Sequence, residues 1–247
     1  MQRFFVEPYQ IEADANLIHI AGSDVNHIKN VLRMKQGEEL WVSDGKGKEY
    51  HCNIQAFSQE EVLLHILYAQ EPDYELPNDI YLFQGLPKAD KMELIIQKAV
   101  ELGVHEAVPV EMKRCVVKLD AKKAEKKVAR WQQIAESAAK QSKRMLVPKV
   151  RPVMKFAEAL EFAKGLDVLL VPYELAKGME DTKKIIRGIE PGKSIGVFIG
   201  PEGGFEEDEV NAAIQAGAHS ITLGRRILRT ETAGLAALSI LMFQLEK

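Results

Sequence analysis

The chain has 247 residues, 46% of them hydrophobic and 28% charged, with a net charge of -3; this is the profile of a globular protein able to bury a large core, and it excludes a disordered chain. The longest nearly apolar run, AGLAALSILMF from Ala233 to Phe243, is about half of the roughly 20 residues a membrane span requires, so it reads as a buried helix and membrane association is not expected. The two cysteines, Cys52 and Cys115, lack CxxC spacing and the six histidines form no HxH or HExxH pair, so neither a disulfide framework nor a metal site is expected.

The opening MQRFFVEPYQIEADA lacks the basic, apolar and small-residue succession of a secretory signal, and with the unpaired cysteines this predicts a cytoplasmic protein. SDVNHIKNVLRM follows with Val25, Ile28, Val31 and Leu32 at helical spacing and Ser23 or Asp24 as N-cap. ELWVSDGKGKEYHCNI alternates apolar and polar residues on both sides of a tight turn at Asp44-Gly45, which predicts a hairpin, and EEVLLHILYA predicts a further strand. These residues form a small β-rich, acidic domain: residues 1–74 carry 6 Lys/Arg against 12 Asp/Glu. EPDYELPND, residues 71–79, is polar, holds two prolines and has no periodicity, and it marks the linker, dividing the chain into residues 1–72 and 73–247.

Beyond Asp79 the pattern becomes strand then helix, repeatedly. IYLFQGL precedes ADKMELIIQKAVELG, where Asp90 and Glu93 have capping-box spacing, Met92, Ile95, Ile96, Ala99 and Val100 share one face, and Gly103 ends the helix. EAVPVEM, DVLLVPYE, SIGVFIG and HSITLG are further short strands, so the fold class is α/β with a mostly parallel sheet covered on both faces. Between EAVPVEM and DVLLVPYE, Lys113 to Arg151 carries 13 Lys/Arg against 3 Asp/Glu: either a polyanion contact or a solvated helix face.

In parallel sheets ligands bind at the carboxyl ends of the strands, and GPEGGF falls at such an end. Three glycines and a proline let backbone approach a ligand closely, although a tight strand-to-helix connection also uses glycine. The turn is followed by Glu206, Glu207, Asp208 and Glu209, which favour the helix dipole and repel phosphates. The spacing also fails GxGxxG and GxxxxGK[ST]. An adenosine ligand without phosphates suits the turn better, and S-adenosylmethionine is such a ligand. Downstream, HSITLGRRILRTETA offers a second turn after a strand, leading into a helix with Thr230 or Thr232 as N-cap; Arg229 and Glu231 stand there as a cation and a carboxylate, either in the site or as a capping pair.

VFIGPEGGFEEDEV with LGRRILRTETA, ADKMELIIQKAVELGV, RWQQIAESAAKQSKRMLVP and HIKNVLRMKQGEEL together resemble the ribosomal RNA small-subunit methyltransferase family that makes N3-methyluridine in 16S RNA, within the SPOUT superfamily. The resemblance covers essentially the whole chain. It implies a PUA-like small β-barrel over residues 1–72 and a SPOUT α/β domain over residues 73–247, tied in a deep trefoil knot around the cofactor site. It also implies a homodimer that binds S-adenosylmethionine and acts on 16S ribosomal RNA, within the small ribosomal subunit; the apolar 233–243 helix suits a dimer interface and a core equally well. Carried over by motif, the cofactor site comprises Ile199, Gly200, Pro201, Glu202, Gly203 and Gly204 in one turn, Leu223, Gly224, Ile227, Leu228 and Arg229 in another, and Val171 and Pro172 on the neighbouring strand. Lys143 stands where the family commonly has a small residue.

Methylation of N3 requires alignment of the two partners and departure of a proton. Arg229 is the expected stabiliser of the uridine anion and Glu231 its orienting group or the proton acceptor. N3 lies on the pairing edge, so the base must leave its helix, and Arg3, Arg33, Lys140, Lys143 and Arg144 are the expected phosphate contacts. Two other readings compete: a non-catalytic RNA-binding assembly factor, which has no use for a cofactor cage, and a nucleotide-dependent enzyme, which the acids after the turn oppose.

Overall fold

The computed structural model describes residues 1–173 and 178–246. Glu174, the last residue of the predicted DVLLVPYE strand, lies outside them. The chain divides into two compact units, one of residues 1–75 with 139–147 and the other of residues 76–138 with 148–247.

The first unit is a curled six-stranded sheet built from β1 (Arg3–Phe5), β2 (Ile11–Glu12), β3 (Leu17–Ala21), β4 (Glu39–Ser43), β5 (Glu49–Phe57) and β6 (Glu61–Gln70), in the order β1-β4-β5-β6-β3-β2. The end strands β1 and β2 are not paired to one another, so the expected barrel is an open half-barrel. The alternation read in β4, β5 and β6 places Leu40, Val42, Cys52, Ile54, Val62 and Leu64 inward, where they meet Phe4, Ile18, Ile20 and Ile28. In the predicted hairpin, Asp44 Oδ1 accepts from the N–H groups of Lys46 and Lys48, closing the connection of β4 to β5. The predicted helix after β3 is α1 (Ser23–Asn26), continued by a π-turn over His27–Val31; Gly22, rather than Ser23 or Asp24, occupies its N-cap.

Residues 139–147 belong to the first unit although they lie far along the sequence, because polar contacts fasten them there. Ser43 Oγ donates to Met145 O at 2.9 Å, the Met145 N–H donates to Glu75 at 2.8 Å, and Arg144 forms a buried ion pair with Glu75.

The second unit holds a seven-stranded sheet, all its pairings parallel. Its strands are β7 (Asp79–Gly85), β8 (Glu106–Glu111), β9 (Lys149–Val150), β10 (Met154–Lys155), β11 (Val168–Pro172), β12 (Ser194–Ile199) and β13 (His219–Ile221), in the order β10-β8-β7-β12-β11-β13 with β9 beside β8. Central β7 and β12 are buried on both faces, as their near-continuous apolar runs predict, and Phe83 stacks on Phe198 across them at 4.3 Å. The helices are α2 (Lys91–Glu101), α3 (Ala121–Ser142), α4 (Phe156–Ala163), α5 (Met179–Arg187), α6 (Glu207–Gln215) and α7 (Thr230–Leu245). Helix α2 buries the predicted Met92, Ile95, Ile96, Ala99 and Val100.

Two terminal features differ from expectation. Asp90 makes no side-chain cap on α2, and the Glu93 carboxylate turns to Arg130 at 3.3 Å, so the capping box does not form. Helix α7 buries Gly234, Ala237, Leu238, Leu241 and Leu245 but leaves Ile240 and Phe243 exposed, so it is half covered rather than wholly interior. No helix among the described residues is long and apolar enough to cross a membrane.

Candidate active site

Strands β11 and β12 and the segment after β13 deliver their carboxyl ends to one cavity of about 680 Å³ in the second unit. Its walls include Pro172, Tyr173, the whole turn from Ile199 to Phe205, and Ile227 to Thr230. The two turns singled out in the sequence therefore both line a single pocket. Of the predicted cofactor residues, Pro172, Ile199, Gly200, Pro201, Glu202, Gly203, Gly204, Ile227, Leu228 and Arg229 line it; Val171, Leu223 and Gly224 lie on the same segments without lining it.

The glycines have specific uses. Gly204 adopts φ +71°, the left-handed conformation that folds the turn back, and its N–H donates to Pro201 O at 2.9 Å. Gly85, at the end of β7, lies so near the turn that a Cβ there would stand 2.7 Å from both Pro201 Cδ and Pro201 N. The turn is further held by Thr230. Its hydroxyl donates to Gly200 O at 2.6 Å and accepts from Gln84 Nε2 at 2.8 Å, so β7, α7 and the glycine turn share one buried hydrogen-bond chain. Thr230 is thus the first residue of α7 and not its cap; Arg229 holds the cap position. A hydroxyl occupied by the carbonyl of another element is not available to cap its own helix.

The acids after the turn are divided by function. Glu206 pairs with Arg114 at 2.9 Å, Asp208 pairs with Lys113, and buried Glu209 accepts from the N–H of Lys113 at 2.9 Å and of Glu206 at 3.0 Å. These contacts bind the start of α6 to the loop after β8, and the carboxylates also favour the α6 dipole. Glu207 faces the pocket.

Charge inside the pocket centres on residues that sequence reasoning passed over. Lys91 Nζ stands 3.0 Å from Glu202 Oε1 and 3.2 Å from Glu231 Oε2. The contacts with these two carboxylates, Glu202 first, raise the lysine above its ordinary pKa. Burial alone pushes both carboxyls up, but the Lys88 N–H on Glu202, the backbone N–H of Glu231 and the Lys91 ammonium on each outweigh it, leaving both below the usual range. Arg114 also lines the pocket and donates to Gly203 O at 3.0 Å. Lys91 opens a helix and Arg114 follows a strand; periodicity shows each as an ordinary surface cation. Arg229 lines the pocket and Glu231 stands beside it through Lys91, so the predicted cation and carboxylate are brought to the same site.

The predicted phosphate contacts are not brought together as one free basic surface. Arg3 is engaged with buried Glu49, Lys140 with Asp24 at 3.1 Å, and Arg144, 5% exposed, with Glu75. Arg33 and Lys143 are exposed. Lys143 has φ +63°, which explains why a small residue suits this position: glycine reaches that conformation without strain. The outward basic side chains of α3 include Lys122, Lys123, Lys126 and Arg130.

The chain thus joins a β-rich unit to an α/β unit whose parallel strands end on a glycine-walled, acid-flanked pocket, and comparison with known families assigns that combination to the RNA methyltransferases. The model of the RNA methyltransferase domain family matches residues 74–242, and that of the RNA methyltransferase PUA domain matches residues 20–67. The chain belongs to the ribosomal RNA small subunit methyltransferase E family. It is 41% identical to that protein of Bacillus subtilis, covering 100% of this chain and 98% of the relative. It is 36% identical to that of Mesomycoplasma hyopneumoniae, covering 97% and 98%. A crystal structure of the Neisseria gonorrhoeae member bound to S-adenosylmethionine is similar over 98% of this chain and 97% of that one, with 34% identity and a TM-score of 0.84.

Proposed function

We propose that this chain transfers a methyl group from S-adenosylmethionine to N3 of a uridine in the decoding region of 16S ribosomal RNA. The observation that carries the reading is the single pocket made by the two glycine-bearing turns, large enough at about 680 Å³ for a cofactor and a base together. Its residues fit an adenosyl ligand without phosphates. Ile199, Pro201, Phe205, Ile227 and Leu228 offer apolar surface, backbone groups of the turn offer hydrogen bonds, and Glu202 and Glu207 disfavour a polyphosphate.

The cofactor supplies an activated methyl group on a positive sulfur. The turn from Ile199 to Gly204 and the segment from Ile227 to Arg229 would hold it; rigid placement is what the Thr230 and Gln84 hydrogen bonds provide. Arg229 stabilises the negative charge that develops on the uridine as its N3 proton leaves. Glu231, held below the usual carboxylate range by its own backbone N–H and by Lys91, orients that arginine or accepts the proton.

Grip on the RNA comes from the exposed Arg33 and Lys143 and from the outward basic face of α3. The substrate lies in the small ribosomal subunit, and the protein works in the cytoplasm as a homodimer, a state supported by the exposed Ile240 and Phe243 on α7. The reading includes a deep trefoil knot in residues 73–247 as part of the cofactor cage.

The test is deletion of the gene in its host followed by reverse transcription across the decoding region, where an N3-methyl group stops the polymerase. Loss of one stop, restored by the gene in trans, is the expected result; a stop that persists without the gene refutes the assignment.

A further inference from the structure

Lys91 occupies a position that helix stability does not explain. It is the first residue of α2, where the positive end of the helix dipole disfavours a cation. The backbone leading to it is strained as well: Ala89 has φ +53°, a conformation costly for a residue with a Cβ. Local rules broken twice within three residues point to a functional demand at the end of the side chain.

That end bridges two carboxylates from different elements: Glu202 in the turn after β12 and Glu231 in the first turn of α7. The two do not depend on it equally. Glu202 also accepts from the Lys88 N–H at 3.0 Å, so it keeps an anchor without the lysine. Glu231 is three-quarters or more shielded, with side-chain exposure of 17%; its carboxylate meets its own backbone N–H, and the ion pair that ties it to another element is with Lys91. Removing the ammonium therefore frees Glu231 far more than it frees the glycine turn.

We infer that Lys91 is a positioning residue for methyl transfer: it fixes where the Glu231 carboxylate stands beside Arg229, while contributing little to the hold on the cofactor. The inference rests on the functional reading above, with Glu231 as the group that orients the arginine or receives the proton. A merely structural lysine would weaken cofactor binding and folding together; a positioning one separates turnover from binding.

The experiment uses the full-length protein, S-adenosylhomocysteine for calorimetric binding, and methyl transfer to small subunits from the deletion host. Lys91→Gln should lower kcat by about tenfold or more while Kd for S-adenosylhomocysteine stays within about threefold of the parent value. Lys91→Arg, whose fork can reach both carboxylates, should recover most of the turnover. In a Glu231→Gln background, adding Lys91→Gln should cost less than about twofold more, because both changes disable the same group. The inference is overturned by parental kcat in Lys91→Gln, by a Kd that rises in step with the loss of turnover, or by single effects that multiply in the double variant. If the parent protein itself transfers no methyl group to these subunits, the functional reading falls and this inference with it; an active parent confines any failure to Lys91.

Discussion

Replacing Thr230 with valine keeps the β-branched shape and removes only the hydroxyl that joins β7, α7 and the glycine turn. Gln84, 1% exposed, then keeps its bond to Gly85 O at 3.0 Å but has a second N–H with no acceptor. An unpaired buried donor costs about 1–3 kcal/mol, and the Gly200 carbonyl, half-buried, regains part of its lost bond from water. A total near ~2 kcal/mol corresponds to a fall in Tm of about 4–8 °C for a protein of this size. Differential scanning calorimetry measures it, and titration with S-adenosylhomocysteine should show weaker binding, because the released carbonyl belongs to the turn proposed to hold the cofactor. Thr230→Ser separates the causes: it keeps the hydroxyl and loses one methyl group, worth about 1 kcal/mol. A Thr230→Val protein that melts within about 1 °C of the parent, or a serine variant less stable than the valine one, refutes the reasoning.

Three further predictions follow from other contacts. A Cβ on Gly203 would stand 3.0 Å from Arg114 Cβ, so Gly203→Val should displace Arg114 and lower cofactor affinity about tenfold or more while the circular dichroism spectrum is unchanged. Retained affinity would mean that the turn is not a wall of the site. Asp167 accepts from the N–H and hydroxyl of Ser194 and from Lys193, contacts that hold its carboxyl down to about 2 from 3.8. A depressed carboxyl stabilises the fold above its unfolded pKa and loses that contribution as pH falls through the folded one, so Asp167→Asn should lower the urea midpoint at neutral pH, with the difference vanishing between pH 3.8 and about 2. Arg144→Glu sets a carboxylate against Glu75 in a buried site and should cost about 3–5 kcal/mol, whereas Lys143→Glu at an exposed position should leave Tm unchanged and reduce both RNA affinity and its salt dependence. RNA affinity unaltered by Lys143→Glu across a salt titration removes Lys143 from the contact surface.

What the sequence disclosed and what it withheld divide along the range of the interactions. The β4-β5 hairpin, the buried face of α2 and the glycine turn after β12 are recorded in local pattern, since alternation, helical spacing and turn residues are consequences of burial and backbone geometry at that spot. Pairings between distant segments leave no such mark. Asp90 and Glu93 have the spacing of a capping box, yet Arg130, far along the chain, takes the Glu93 carboxylate. Thr230 has the look of an N-cap, yet Gly200 takes its hydroxyl. Arg144 reads as one of a basic run, yet Glu75 buries it and carries residues 139–147 into the first unit. The one local signal overlooked was Lys91, a cation at the first position of a helix whose dipole disfavours it.

The acids after the glycine turn show how a correct exclusion can rest on the wrong charges. Read along the chain, Glu206 to Glu209 form a negative block facing whatever the turn binds. In three dimensions Glu206 and Asp208 are matched by Arg114 and Lys113, and Glu209 is turned inward to backbone N–H groups. What disfavours a phosphate is instead the balance inside the cavity. Lys91 is already shared between Glu202 and Glu231, Arg114 is matched by Glu206, and Glu207 adds a further carboxylate to the lining. Two of the lining cations are thus already matched, and a triphosphate's charge would meet Glu202 and Glu207 in a partly dry pocket where repulsion is poorly screened. A ligand carrying a sulfonium meets the opposite situation, since the same carboxylates attract it. The glycines give the turn its shape, and the pairing of Lys91 and Arg114 leaves the pocket a polarity that selects among the ligands this shape admits.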